Sequence, residues 1–236
     1  MNMKTLPLCA CVAGCALVVN LASANLIVNG DFQSGDTGFN SDYSSTLGIG
    51  FTEGTYAILN NPHGPAPYQN PWAASYFDHT YGDESGLMMA VNGATVPGMT
   101  VWAQSLSGLT VGQQYVFSLW LSSWVATSGS GNAVLDIQID GLSQATFYAP
   151  TTAGVWERRS FAWTAASSSM AFAAIFNTET ATYPNDFALD DLALVAFSGQ
   201  HLNELVSAVV QKEISARVQK ETGFRVSIFR GFRANC

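Results

Sequence analysis

The sequence predicts an all-β fold, a two-sheet jelly-roll β-sandwich over residues 25–197 with a short C-terminal helical tail. Three observations carry this. Apolar residues recur with period two rather than 3.6, the gaps between these runs carry Gly, Asn and Asp turn chemistry, and no helical pattern interrupts them before residue 198. Many short strands without helical interludes describe a sandwich or jelly roll.

Taken in order, the strand candidates begin with the short runs Leu26–Val28, Tyr56–Leu59, Leu87–Val91 and Thr100–Ser105. Longer ones follow at Gln113–Trp124, Asn132–Asp140, Val155–Thr164, Met170–Asn177 and Asp186–Phe197, rich in β-branched and aromatic residues. Between them stand Asn29-Gly30-Asp31, Asn92-Gly93, Ser107-Gly108, Ser128-Gly129-Ser130-Gly131 and Asp140-Gly141. Asp136 to Gly141 superficially follows an EF-hand loop, but Phe147 stands at the twelfth position and the alternating Ile residues mark a strand. The segment from Asn60 to Ser85 is the one long irregular stretch, with Pro62, Pro65, Pro67 and Pro71 among Trp, Tyr and His. Loops of that length in a compact domain are uncommon and tend to be functional.

Outside the sandwich, residues 1–24 read as a signal peptide: Lys4, an apolar run from Thr5 to Leu21, then the small-x-small pattern Ala22-Ser23-Ala24. The expected mature chain starts at Asn25 and is secreted, periplasmic or attached to the cell surface. Pro7, Gly14 and Asn20 interrupt the run, which is too short for a spanning helix of about 20 apolar residues. A second reading takes Val12-Ala13-Gly14-Cys15 as a lipoprotein box with Cys15 lipidated, although the residues after it lack a polar tether. With cleavage after Ala24 only Cys236 remains, so no internal disulfide is expected. The 176 residues from Asn25 to Gln200 suffice to bury about two-thirds of their unfolded surface. In residues 198–236, Leu202, Leu205, Val206, Val209, Val210, Ile214 and Val218 recur at helical spacing among Lys, Arg and Glu, an amphipathic basic tail.

Charge narrows the partners. From Asn25 to Gln200 there are 14 acidic residues and two basic ones, Arg158 and Arg159, a net of −12. Such a body has no clustered Lys and Arg for nucleic acid or an anionic membrane, and suits a neutral ligand such as a sugar, or a cation.

Four stretches carry a resemblance. Asn25-Leu26-Ile27-Val28-Asn29-Gly30-Asp31-Phe32 resembles the opening strand and turn of galactose-binding-like domains, and Phe187-Ala188-Leu189-Asp190-Asp191-Leu192-Ala193-Leu194 resembles their closing strand. Leu109 to Ser118 is similar to one of their inner strands. Asp78-His79-Thr80, followed by Met88 to Ala94, is similar to exported PEP-CTERM proteins of bacteria that make extracellular polysaccharide, yet the Pro-Glu-Pro tail of those proteins is missing. The resemblance implies the jelly-roll fold and a non-catalytic module that binds carbohydrate or extracellular matrix. It also implies a structural calcium where the opening turn meets the closing strand, which maps onto Asp31, Gln33 and one of Asp190 or Asp191. Gln33 stands where the family has Glu, and Leu189 to Leu192 switch the strand's apolar phase, which predicts a bulge at the Asp pair.

A sugar needs a flat aromatic platform and planar polar groups. Tyr68, Trp72, Tyr76 and His79 in the long loop, and Trp124 before the Gly/Ser turn, are the aromatic candidates; Asp136 and Gln138 on one strand face are the polar ones. Most of the 28 aromatic residues belong to the core, with Phe117, Trp120, Phe161 and Trp163 expected among them. No nucleophile elbow, zinc motif or phosphate loop argues for an enzyme. Two rivals to the glycan reading stay open: a structural or adhesive envelope protein, and a polysaccharide-active enzyme with acids paired between strands.

Overall fold

The computed structural model describes residues 24–50, 52–64, 70–125, 131–166, 169–181 and 184–197. Residues 1–23 of the expected signal peptide, Cys15 among them, the tail 198–236 and the candidate Tyr68 lie outside them.

Among the described residues all regular structure is β: β1 (Ser44–Ser45), β2 (Thr55–Leu59), β3 (Met88–Asn92), β4 (Met99–Ser107), β5 (Gln114–Ser123), β6 (Val134–Ile139), β7 (Leu142–Tyr148), β8 (Glu157–Thr164), β9 (Met170–Asn177) and β10 (Phe187–Ala196). They form a six-stranded sheet, β1-β2-β3-β10-β5-β8, and a four-stranded one, β4-β9-β6-β7. All pairings are antiparallel except the short β1–β2 contact. Alternation turns Phe117, Leu119, Leu121, Leu189 and Leu194 of the large sheet against Trp102, Leu135, Ile137 and Ile175 of the small one, and this is the main core.

Three differences from the sequence reading have physical causes. The segment Leu26–Val28 is no strand, because side chains replace its ladder. The Gln104 amide accepts from Val28 N (2.9 Å) and donates to Val28 O (2.9 Å), while the Asn25 side chain bonds Leu192 O and Leu194 N. Strand β7 is additional: Asp140 and Gly141 take φ of 52° and 76°, the left-handed pair of a tight hairpin, and return the chain along β6 as an edge whose polar face hides the alternation. Trp120 leaves the expected core set; it points outward from β5, whereas Phe117 is buried and Phe161 and Trp163 pack on the core.

The two sheets treat their outer faces differently. Part of the large sheet's outer face is roofed by the chain before β3: Ala57, Leu59, Ala90, Trp124 and Val125 form a second apolar cluster with Ile49 and Ala73, and Tyr76 packs against it. The outer face of the small sheet has no such roof among the described residues.

Candidate functional site

The roof is fastened at the closing strand. Between Asp190 and Ala193 the register of β10 against β5 shifts, and Asp191 takes φ 47°, so both carboxylates leave the outer face side by side. Asp190, fully buried, accepts from His79 N (2.7 Å), Thr80 N (3.1 Å) and Asp191 N (2.8 Å). Burial, and then the charge of Asp191, push its carboxyl up to about 7. Asp191 takes the His79 ring nitrogen Nδ1 (2.6 Å) and the Thr80 hydroxyl (2.8 Å). The His79 ring stacks on Trp120 at 3.7 Å between centroids, and Tyr76 meets Trp156 edge-on. Buried Asp78 caps the next turn through Tyr81 N and Gly82 N, and its carboxylate fills the place a Cβ on Gly86 would need.

The opening turn meets this strand as the resemblance implies: Leu192 N donates to Gly30 O (2.8 Å), and Asp31 and Asp191 line one shallow pocket. Gln33 turns its amide N–H, not an oxygen, toward Asp31 O (2.8 Å) and Leu87 O (3.0 Å), and the Asp190 and Asp191 oxygens are matched to N–H and O–H donors.

The aromatic loop and the polar strand face do not come together. Trp124 is fully buried, Tyr76 packs inward and His79 is held by Asp191, all on the large-sheet side; Trp72 is 76% exposed at the loop's rim. Asp136 and Gln138 project from β6 on the other sheet, and no platform of Trp72, Tyr76 and Trp124 stands over them.

What surrounds Asp136 and Gln138 instead is an open face. Leu135, Ile137 and Ile139 of β6, and Ala171, Ala173 and Ile175 of β9, point into the core. The alternate residues Asp136, Gln138, Phe172 and Phe176 therefore face outward. Gln138 Nε2 donates to Asp136 Oδ2 (2.6 Å), and the Ser143 hydroxyl from β7 donates to Asp136 Oδ1. Phe176 lies opposite Asp136 in the pairing, hence about 5 Å away across the strands. Phe172 (44% exposed) and Tyr148 (63% exposed) bracket the polar group. Sequence reasoning missed Phe172 and Phe176 because β9, Met-Ala-Phe-Ala-Ala-Ile-Phe-Asn, is apolar on both faces, and Tyr148 because it ends β7, the strand whose alternation is hidden by its polar face. The available signal was that the larger rings of β9 share one phase with Met170 while Ala171 and Ala173 take the other.

No protein-family model and no curated protein matches the chain. Solved structures do. A cyclase from Fischerella sp. TAU is 12% identical with a TM-score of 0.51, over 75% of this chain and 98% of that one. A xylan-binding domain from Paenibacillus barcinonensis is 13% identical, TM-score 0.44, over 74% and 96%. The enzymatically active domain of a bacteriophage CBA120 tailspike is 12% identical, TM-score 0.43; 73% of this chain covers only 21% of it. Other carbohydrate-binding modules are among the similar structures. At these identities the likeness concerns the fold. The chain is an all-β, two-sheet jelly-roll sandwich, a fold similar to that of the Fischerella cyclase.

Proposed function

We propose that this is an exported, non-catalytic carbohydrate-binding domain that takes a glycan on the outer face of its four-stranded sheet. The observation that carries the reading is the pre-set Asp136–Gln138–Ser143 group flanked by Phe172, Phe176 and Tyr148. Rings of this kind stack on the apolar face of a pyranose, and a carboxylate beside an amide offers acceptors and a donor to vicinal hydroxyls. Fixing these polar groups by mutual hydrogen bonds lowers the ordering cost of binding. The kind of ligand named for similar structures, xylan for one of them, agrees with this chemistry.

A glycan array on the purified protein, followed by titration of the best hit, tests the reading. Phe172→Ala with Tyr148→Ala is expected to weaken binding at least about tenfold, roughly the 1.4 kcal/mol of one stacking contact. Trp72→Ala is expected to leave it unchanged. Loss of binding with Trp72→Ala but not with the double variant would move the site to the loop.

A further inference from the structure

A second group of oxygens lies at the other end of β3, away from the Asp190–Asp191 bulge. Asn92 ends β3 and is only 3% exposed; its Oδ1 is buried without a hydrogen-bond partner, while its Nδ2 donates weakly to Gly50 O (3.3 Å). Glu53 precedes β2, and its Oε2 is likewise buried and unpartnered. Hydrogen bonds from two backbone N–H groups link their neighbourhoods. Gly54 N donates to Asn92 O (3.0 Å), and Gly93 N donates to Oδ1 of the buried Asp186, just ahead of β10. The Tyr43 hydroxyl stands in the same group, accepting from Ala94 N (3.2 Å).

Phe187 pairs with Val91, so Asp186 stands opposite Asn92 on the same face of the sheet, and Glu53 lies two residues before Thr55, the partner of Asn92 on its other side. Burial raises both carboxyls above their usual range, Asp186 to about 7, and the Glu53 charge adds to the shift at Asp186. Among the described residues no Lys or Arg is near. The only Lys or Arg residues among those described are Arg158 and Arg159, on β8 at the far edge of the sheet from β2. A buried acceptor without a donor costs about 1–3 kcal/mol, and an uncompensated charge more. A proton on one carboxyl would lower the charge; a cation would also supply Asn92 Oδ1.

We propose that Glu53, Asn92 and Asp186 form a site for a hard divalent cation of the calcium class, which clamps the loop before β2 to the ends of β3 and β10. The three side chains supply oxygen only, the donor type such an ion takes, and water completes its shell. The site is independent of the glycan reading and distinct from the opening turn.

The test uses the full chain stripped with a chelator, then titrated with calcium and with terbium, whose luminescence Tyr43 would sensitise. One equivalent is expected to bind, calcium to displace terbium, and the melting temperature to rise with calcium. Glu53→Gln is expected to weaken calcium at least about tenfold with near-UV circular dichroism unchanged, and Asp31→Asn to have no effect. Absence of binding at millimolar calcium overturns the proposal. So does binding that survives Glu53→Gln and is lost with Asp31→Asn, which would place the ion at the opening turn. Should Glu53→Gln not fold, Asn92→Asp decides: a third carboxylate tightens a cation site at least about tenfold, and unchanged affinity rejects it.

Discussion

On the outer face of the six-stranded sheet, Ala57, Ala90 and Trp124 are sealed beneath Ala73 and Tyr76; on that of the four-stranded sheet, Phe172 and Tyr148 stand in solvent. Both faces carry aromatic rings and both carry carboxylates. The difference lies in what those groups touch. On the covered face the rings pack on one another and Asp190 is met by three N–H groups, so the aromatic loop acts as a lid of structure. On the open face Asp136 is held only by neighbours on its own sheet and keeps its surface for something else. Aromatic density along a sequence therefore marks burial as readily as binding; on the roofed side the exposed rings, Trp72 and Tyr81, stand on the covering loop rather than on the sheet.

Substitutions can break this contrast. The largest effect is expected for Trp124→Ala, which empties the second core: roughly 3–5 kcal/mol lost in urea unfolding, with glycan affinity unchanged while the protein stays folded. Asp190→Ala comes next, at about 2–3 kcal/mol, since it strands the N–H groups of His79, Thr80 and Asp191; faster proteolysis near residues 79–82 than elsewhere would confirm that the roof lifts there. Gly141→Ala is smaller, about 1 kcal/mol, because φ of 76° disfavours a side chain. Its informative outcome is local: a shifted β6–β7 hairpin moves Ser143 from Asp136 and weakens glycan binding beyond the stability loss. Trp72→Ala is expected to change stability by less than about 0.5 kcal/mol, and a larger loss in thermal unfolding would show the roof extends to the rim.

Much of the fold was legible in the sequence because period-two alternation and turn residues are local signals. The phase switch at Leu189–Leu192 even located the bulge that puts Asp190 and Asp191 side by side. What failed to show was partnership across distance. Nothing local says that Gln104 will stand in for a strand beside Val28, or that the ring at Trp120 will meet His79 from 41 positions earlier in the chain. The binding face was half visible: Asp136 and Gln138 follow from alternation on β6, whereas Phe172 and Phe176 sit on a strand apolar on both sides, where phase alone cannot tell core from surface. The orphaned oxygens of Glu53 and Asn92 carry no sequence motif, since residues 53, 92 and 186 meet only through the sheet.

The clasp made by Asn25 and Leu26 on Leu192 and Leu194 has a mechanical meaning. It brings the first described residues alongside the last strand, so the two ends of the sandwich lie on one side of it. Tension between those ends would load this handful of hydrogen bonds one after another, as a zipper opens, before it reached the interlocked sheets. The clasp would act as a mechanical fuse, yielding at low force while the face that carries Asp136 and Phe172 kept its shape.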